Sequence, residues 1–199
     1  MAGKHFSMIR GFHLADLFTI ANGFCGVGAL FQAMRFLATQ ERGRIDAAVI
    51  LILAALVFDV LDGRIARWRH RASPLGRELD SLADVISFGV APAGIAFAAG
   101  LQTALDQLIL MYFVGCGLSR LARYNVTAEA LAAETGKVRH FEGTPIPTSI
   151  VPLALLLLAF HREALYPVDL AGVDLHLVSL LFLLSGSLMI SKTLRIPKP

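Results

Sequence analysis

The sequence predicts an all-α integral membrane protein: six transmembrane helices preceded by a short interfacial helix. Three observations lead there. Only 17% of the 199 residues are charged, against about 25% in soluble domains, and the mean hydropathy is +0.66. Charge-free runs cover 17–34, 85–105, 143–160 and 175–191, each close to the ~20 residues a helix needs to cross a ~30 Å hydrocarbon core. Two further apolar runs, 47–58 and 107–119, reach that length only by continuing through charged residues: Asp59 and Asp62 in one, Arg120 and Arg123 in the other.

In chain order, residues 1–12 (Lys4, Phe6, Met8, Ile9, Arg10, Phe12) suit an amphipathic segment lying in the interface. A cleaved signal peptide is not expected, because Asp16 precedes the first apolar run and no small-residue cleavage site stands out. The six helices are expected near 14–39, 46–71, 79–102, 105–127, 145–162 and 175–193. Barrel strands are excluded because the runs are far too long, and helices satisfy their own backbone in lipid. The Pro145/Pro147 pair marks the start of the fifth. Gly23, Gly26 and Gly28 read as close-packing positions on the first, since no strand precedes them to make a nucleotide loop. Residues 1–199 are then one membrane domain.

Charge sets the orientation. Arg64, Arg67, Arg69, Arg71 and Arg77 crowd 64–77 with no acid, and Lys137, Arg139, Lys192, Arg195 and Lys198 fall on the same side. By the positive-inside rule this side is cytoplasmic, with Arg42 and Arg44 in the first loop as the exception. The pI near 9.1 reads as membrane-surface charge, and no nucleic-acid-binding module is present. Cys25 and Cys116 sit in apolar runs with no CxxC and no histidine at ligand spacing, as buried thiols do. Asn125-Val126-Thr127 matches a glycosylation sequon by chance, given its cytoplasmic placement.

The acids that break the hydropathy pattern carry the chemistry. At 100° per residue, Asp62 lies 60° from Asp59, with Gly63 and Ala66 on the same face and Arg67 beside it. On the next helix Gly76, Asp80, Asp84 and Ser87 share a second narrow face, and the short connection lets the two faces meet. Carboxylates at membrane depth repel one another and are costly unless a cation lies between them. Four of them offer oxygen ligands for two Mg²⁺ or Mn²⁺ ions, which can clamp a diphosphate. Gly63 and Ala66 would let a nucleotide approach closely, and Arg67 and Ser73 are placed to hold phosphate oxygens. The bland alternative is an ion-pair cluster of Asp59 and Asp62 with Arg64, Arg67 or Arg71. The excess of acids over bases at depth and the small residues on the same face argue against it.

The same residues, D-x2-DG-x2-AR-x8-G-x3-D-x3-D from Asp59 to Asp84, resemble the signature of the CDP-alcohol phosphotransferases at every fixed position. The resemblance implies a six-helix, homodimeric membrane enzyme whose di-metal site opens to the cytoplasm. It implies that Asp59, Asp62, Asp80 and Asp84 bind metal and that Asp84 is also the general base. Asp59, Gly63, Ala66, Arg67, Ser73 and Gly76 would contact the CDP-lipid. Ala15-Asp16-Leu17-Phe18-Thr19 resembles the family's P-[ND]-x2-T nucleotide contact, with Ala15 replacing proline. Asp16 and Thr19 are thus further CDP-lipid contacts, and Asp16 also suits a helix N-cap.

Three segments resemble the serine-using, membrane-integral branch of the family: Gly76 to Ala93, Ser119 to Asn125 and Phe141 to Pro147. The implied reactants are CDP-diacylglycerol and L-serine, in a membrane of bulk lipid. Arg120 and Arg123 suit a bidentate grip on the serine carboxylate, with Asn125, Gly143 and Thr144 completing the acceptor site. Both arginines also suit snorkelling or lipid headgroups, and a phosphorylated acceptor such as glycerol 3-phosphate would use them equally. A divalent-cation transporter is the rival of another class, but the sequence shows no internal repeat and its acids cluster at one end of their helices.

Overall fold

A computed structural model describes residues 14–68, 74–134, 140–170, 172–193 and 195–197. Helix α1 (Leu14–Thr39) and α2 (Gly43–Trp68) form a long hairpin. Then α3 (Pro74–Asp84), a π-helical turn (Val85–Val90) and α4 (Ala91–Ala99) run on as one rod. Next come α5 (Ala104–Glu134), β1 (His140–Glu142), a 3₁₀ turn (Ile146–Ser149) and α6 (Ile150–His161). The chain ends with the hairpin β2 (Pro167–Leu170) and β3 (Val173–His176), then α7 (Ser179–Ile190) and β4 (Arg195–Pro197). The expected interfacial segment 1–12 and the connection 69–73, with Ser73, lie outside the described residues.

Among the described residues, three segments are long and apolar enough to cross a membrane: Ala15–Thr39, Leu75–Ala99 and Ala104–Thr127. The apolar helices Ile146–His161 and Ser179–Ile190 are shorter. At ~1.5 Å rise per residue the second extends about 18 Å. The structure is mostly helical, as the all-α expectation has it, with four short strands among the described residues that the expectation did not include. β2 and β3 pair antiparallel from Pro167↔His176 to Leu170↔Val173, and β1 pairs with β4 from His140↔Pro197 to Glu142↔Arg195. The β2–β3 hairpin replaces the start of the expected sixth helix because Pro167, the valines and a left-handed Gly172 (φ 88°) favour a turned ribbon.

Small residues let the rods approach. Ala29 and Ala33 on α1 and Ala48, Ile52 and Ala55 on α2 are buried in one core. Without a hydrophobic drive inside lipid, close van der Waals packing of this kind is what joins helices. Phe113 of α5 meets Phe182 of α7 edge to face, centroids 5.3 Å apart. A Cβ on Gly186 of α7 would come within 3.1 Å of the Phe113 Cα.

At one end of the bundle the chain ties itself off with polar pairs. Thr103 and Asp106 form a reciprocal cap at the start of α5: Thr103 N–H donates to Asp106 Oδ2 (3.1 Å) and Asp106 N–H to Thr103 Oγ1 (3.2 Å). The same buried carboxylate holds His176 of β3, by backbone N–H at 3.1 Å and ring Nδ1 at 2.6 Å. Nearby, Arg42 pairs with Glu163 (2.6 Å) and Arg44 with Glu41 (2.9 Å). The two arginines that broke the loop-charge pattern are therefore locally neutralised. The acidic residues of interest gather at the opposite end, where α1 begins and α2 closes.

Candidate active site

Helix α1 is the spine of the site. It packs against α2, α3 and the π turn, and its polar residues Asp16, Thr19 and Asn22 are all buried. Their spacing of three keeps them on one side of the helix. Thr19 Oγ1 donates to Asp62 Oδ2 of α2 at 2.8 Å. One turn on, Asn22 Nδ2 donates to Asp84 Oδ1 of α3 at 3.1 Å. The spine thus reaches both acidic helices, with one neutral donor to each.

Carboxylate oxygens of Asp59, Asp62 and Asp80 lie within 4.8 Å of one another, a spacing that could hold a metal ion. Asp62 is 6% exposed and Asp84, one turn beyond Asp80, is 7% exposed. Asp80 Oδ1 is buried with no hydrogen-bond partner among the described residues. A carboxylate oxygen accepts only, so what this atom lacks is a donor or a cation. The donor set is all oxygen, as hard divalent ions require. Arg64, one candidate for an ion-pair cluster, is exposed, while Arg71 and the side chains of Ala66 and Arg67 lie outside those described.

The other expected residues divide. A Cβ on Gly63 would meet nothing within 4 Å, so its smallness answers no contact within the chain and leaves room beside the acids. Asp16 is the third residue of α1, inside the first turn and not at the cap. Gly76 is half-buried in the first turn of α3. Arg120, 9% exposed, lies over the Tyr124 ring (5.9 Å to its centroid) and within electrostatic range of Asp84.

Arg123 instead donates from Nη1 to the carbonyl of Ile190 at the end of α7 (3.2 Å). Asn125 Nδ2 braces α5 on α3, donating to Ser81 Oγ (3.0 Å) and the Glu78 carboxylate (3.3 and 3.4 Å). Gly143 (φ 76°) packs so tightly on α7 that a Cβ would run into the Met189 carbonyl, and Thr144 N–H donates to Leu188 O (3.2 Å). Of the five expected acceptor contacts, Arg120 is the one whose charge feels that of Asp84.

Two features escaped the sequence reading. Asn22 is fully buried (0% exposed) and touches Asp84, yet it sits in a charge-free run. Its signal was there: an amide inside apolar sequence, three residues after Thr19. The π-helical turn follows Asp84 directly, and its Ser87, Phe88 and Gly89 are buried. Single π turns inside α-helices are frequent at functional sites. Ser87 Oγ donates to the Asn22 backbone carbonyl (2.9 Å), and a Cβ on Gly26 would lie 2.5 Å from Ser87 Oγ and 2.8 Å from its Cα. Gly26→Ala should therefore push α1 off the rod that carries Asp84. We expect destabilisation of about 1–3 kcal/mol, read as a lower thermal midpoint in detergent, together with loss of turnover.

The family model for CDP-alcohol phosphatidyltransferases matches residues 12–187. The CDP-diacylglycerol–serine O-phosphatidyltransferase of Saccharomyces cerevisiae is 45% identical over 98% of this chain and 74% of its own length. The Bacillus subtilis protein of the same name is 31% identical over 84% of this chain and 87% of its own. The archaetidylserine synthase of Methanothermobacter thermautotrophicus is 36% identical over 75% of this chain and 60% of its own.

Proposed function

The chain belongs to the CDP-alcohol phosphatidyltransferase family, and we propose that it moves a phosphatidyl group from CDP-diacylglycerol to the hydroxyl of L-serine. The products are phosphatidylserine and CMP. The observation that carries this reading is the convergence of Asp59, Asp62 and Asp80 beside Asp84, which is held by a neutral amide. The choice of serine is supported by the yeast and Bacillus relatives, both named CDP-diacylglycerol–serine O-phosphatidyltransferases.

Asp59, Asp62, Asp80 and Asp84 would hold two divalent ions, Mg²⁺ or Mn²⁺, which when bound neutralise the diphosphate and its developing charge. Asp16, Gly63, Ala66, Arg67, Ser73 and Gly76 contact the CDP part, and the open space at Gly63 supports that approach. Thr19 fixes Asp62 from behind. Arg120 takes the serine carboxylate and sets its hydroxyl toward Asp84. Asp84 accepts the hydroxyl proton, the serine oxygen bonds to the phosphorus that bears diacylglycerol, and the bond from that phosphorus to CMP breaks. Arg123, Asn125, Gly143 and Thr144 shape the acceptor side through α3 and α7.

Residues 1–199 act as one domain with six membrane-crossing helices: α1, α2, the α3–α4 rod, α5, α6 and α7. The arginine-rich stretch around 64–77 supports a cytoplasmic site, and a homodimer is the assembly we propose. The experiment is an acceptor panel: purified protein, CDP-diacylglycerol, Mn²⁺ or Mg²⁺, and serine, glycerol 3-phosphate or inositol phosphate in turn. CMP release with serine alone is expected. Release with glycerol 3-phosphate and not serine would make this a phosphatidylglycerophosphate synthase, and metal flux without CMP would make it a transporter.

A further inference from the structure

We infer that Asn22 is a positioning residue for the base: its amide fixes the plane of the Asp84 carboxylate, leaving the second oxygen free for the acceptor hydroxyl. The inference rests on the reading of Asp84 given above. A buried amide in apolar surroundings is costly unless it is bonded, and this one is bonded on one side only. Its Nδ2 donates to Asp84 Oδ1, while the Oδ1 of Asn22 itself is buried with no partner among the described residues.

The packing role of position 22 belongs to its backbone, whose carbonyl accepts from Ser87 Oγ. Any residue there would keep that bond. The side chain's hydrogen bond goes to Asp84, so its retention in the core is explained by Asp84 and not by helix packing. The last torsion of an aspartate is broad and weakly held by its own rotamer, so an unassisted carboxylate presents its oxygens in many directions. The tight Gly26–Ser87 approach sets the distance between α1 and the rod, which keeps the donor within reach. A neutral amide also suits the task better than a cation, because an arginine or lysine here would pair with Asp84 and oppose its taking a proton.

The test uses the full chain in lipid nanodiscs, with Asn22→Leu (similar size, no donor) and Asn22→Gln (amide kept). For Asn22→Leu we expect kcat for CMP release to fall about 10–100-fold, as when other orienting partners of site carboxylates are removed. The KM for CDP-diacylglycerol and the thermal midpoint should hold, and Asn22→Gln should recover part of kcat. An unchanged kcat in Asn22→Leu overturns the inference. So does a joint loss of kcat, KM and thermal midpoint in both variants, which would mark a purely structural residue. Should the wild type release no CMP with any acceptor, the proposed function falls separately. The inference is then decided by isotope-edited infrared spectra. The carboxylate band that Asp84→Asn removes must shift in Asn22→Leu, and a band that stays put ends it.

Discussion

Asp84→Asn should slow CMP release by about 10²–10⁴-fold, the usual worth of a general base, while CDP-diacylglycerol still binds. The substitution is chosen because it keeps the shape and the packing of the side chain. The new amide has the shape of the carboxylate, and its oxygen can still accept from Asn22 Nδ2, as Asp84 Oδ1 does at 3.1 Å. The π turn after it, with Ser87 tied to α1, keeps its own bonds. What disappears is the carboxylate's charge, and with it the ability to take a proton from the serine hydroxyl and Asp84's share in holding a metal ion. A steady-state CMP assay, with KM for each substrate measured separately, reads the result. A drop in kcat with the donor KM preserved is expected, and turnover equal to wild type would remove Asp84 from the chemistry. Loss of donor binding alone would instead make Asp84 a contact to the CDP-lipid.

The parts of the fold written in hydropathy were legible, and those that depend on partners were not. Among the described residues α1 covers 14–39 and ends where its apolar run predicted, and α2 starts at Gly43, three residues before the expected 46. The third helix begins at Pro74 and not near 79, because proline is well placed in a first turn and the polar residues after it hide the start from a hydropathy window. Helix α5 continues to Glu134 through alanine, leucine and glutamate, strong helix formers that carry no membrane signal. The β2–β3 hairpin was invisible for the opposite reason: Leu175 and His176 look like the start of an apolar run, and their pairing with Val168 and Pro167 is set by a turn.

In the site, the helical period placed Asp59, Asp62 and Asp80 on meeting faces, as their mutual distance shows. Asn22 and Asp84 are 62 positions apart, and no local pattern announces that contact. The separation of Arg120 from Arg123 is likewise tertiary. One is within electrostatic range of Asp84 and the other reaches the end of α7, although both seemed equally suited from sequence.

Asp80→Asn should abolish CMP release and yet raise the thermal midpoint of the protein in chelator. Asp59, Asp62 and Asp80 bring carboxylate oxygens within 4.8 Å of one another. At an effective dielectric of about 20, each pair of unit charges at such a distance repels by on the order of 3 kcal/mol. Among the described residues Asp80 Oδ1 has no donor to offset this. Replacing it with a neutral amide removes two of the three repelling pairs and supplies N–H donors from which the neighbouring carboxylates can accept.

A gain of even ~1 kcal/mol corresponds to about 2–4 °C in a protein of this size, easily read from a melt with EDTA. With Mn²⁺ the order should reverse. A ligand at 100 times its Kd stabilises by about 2.7 kcal/mol, and the wild type should gain that while Asp80→Asn gains little. The crossing of the two melting series is the signature of acids kept for a cation. A lower midpoint for Asp80→Asn in EDTA would mean that the cluster is satisfied within the protein. The wild type's stability would then owe nothing to metal, and the oxygen cage would have to be read as an ion-pair network of the fold.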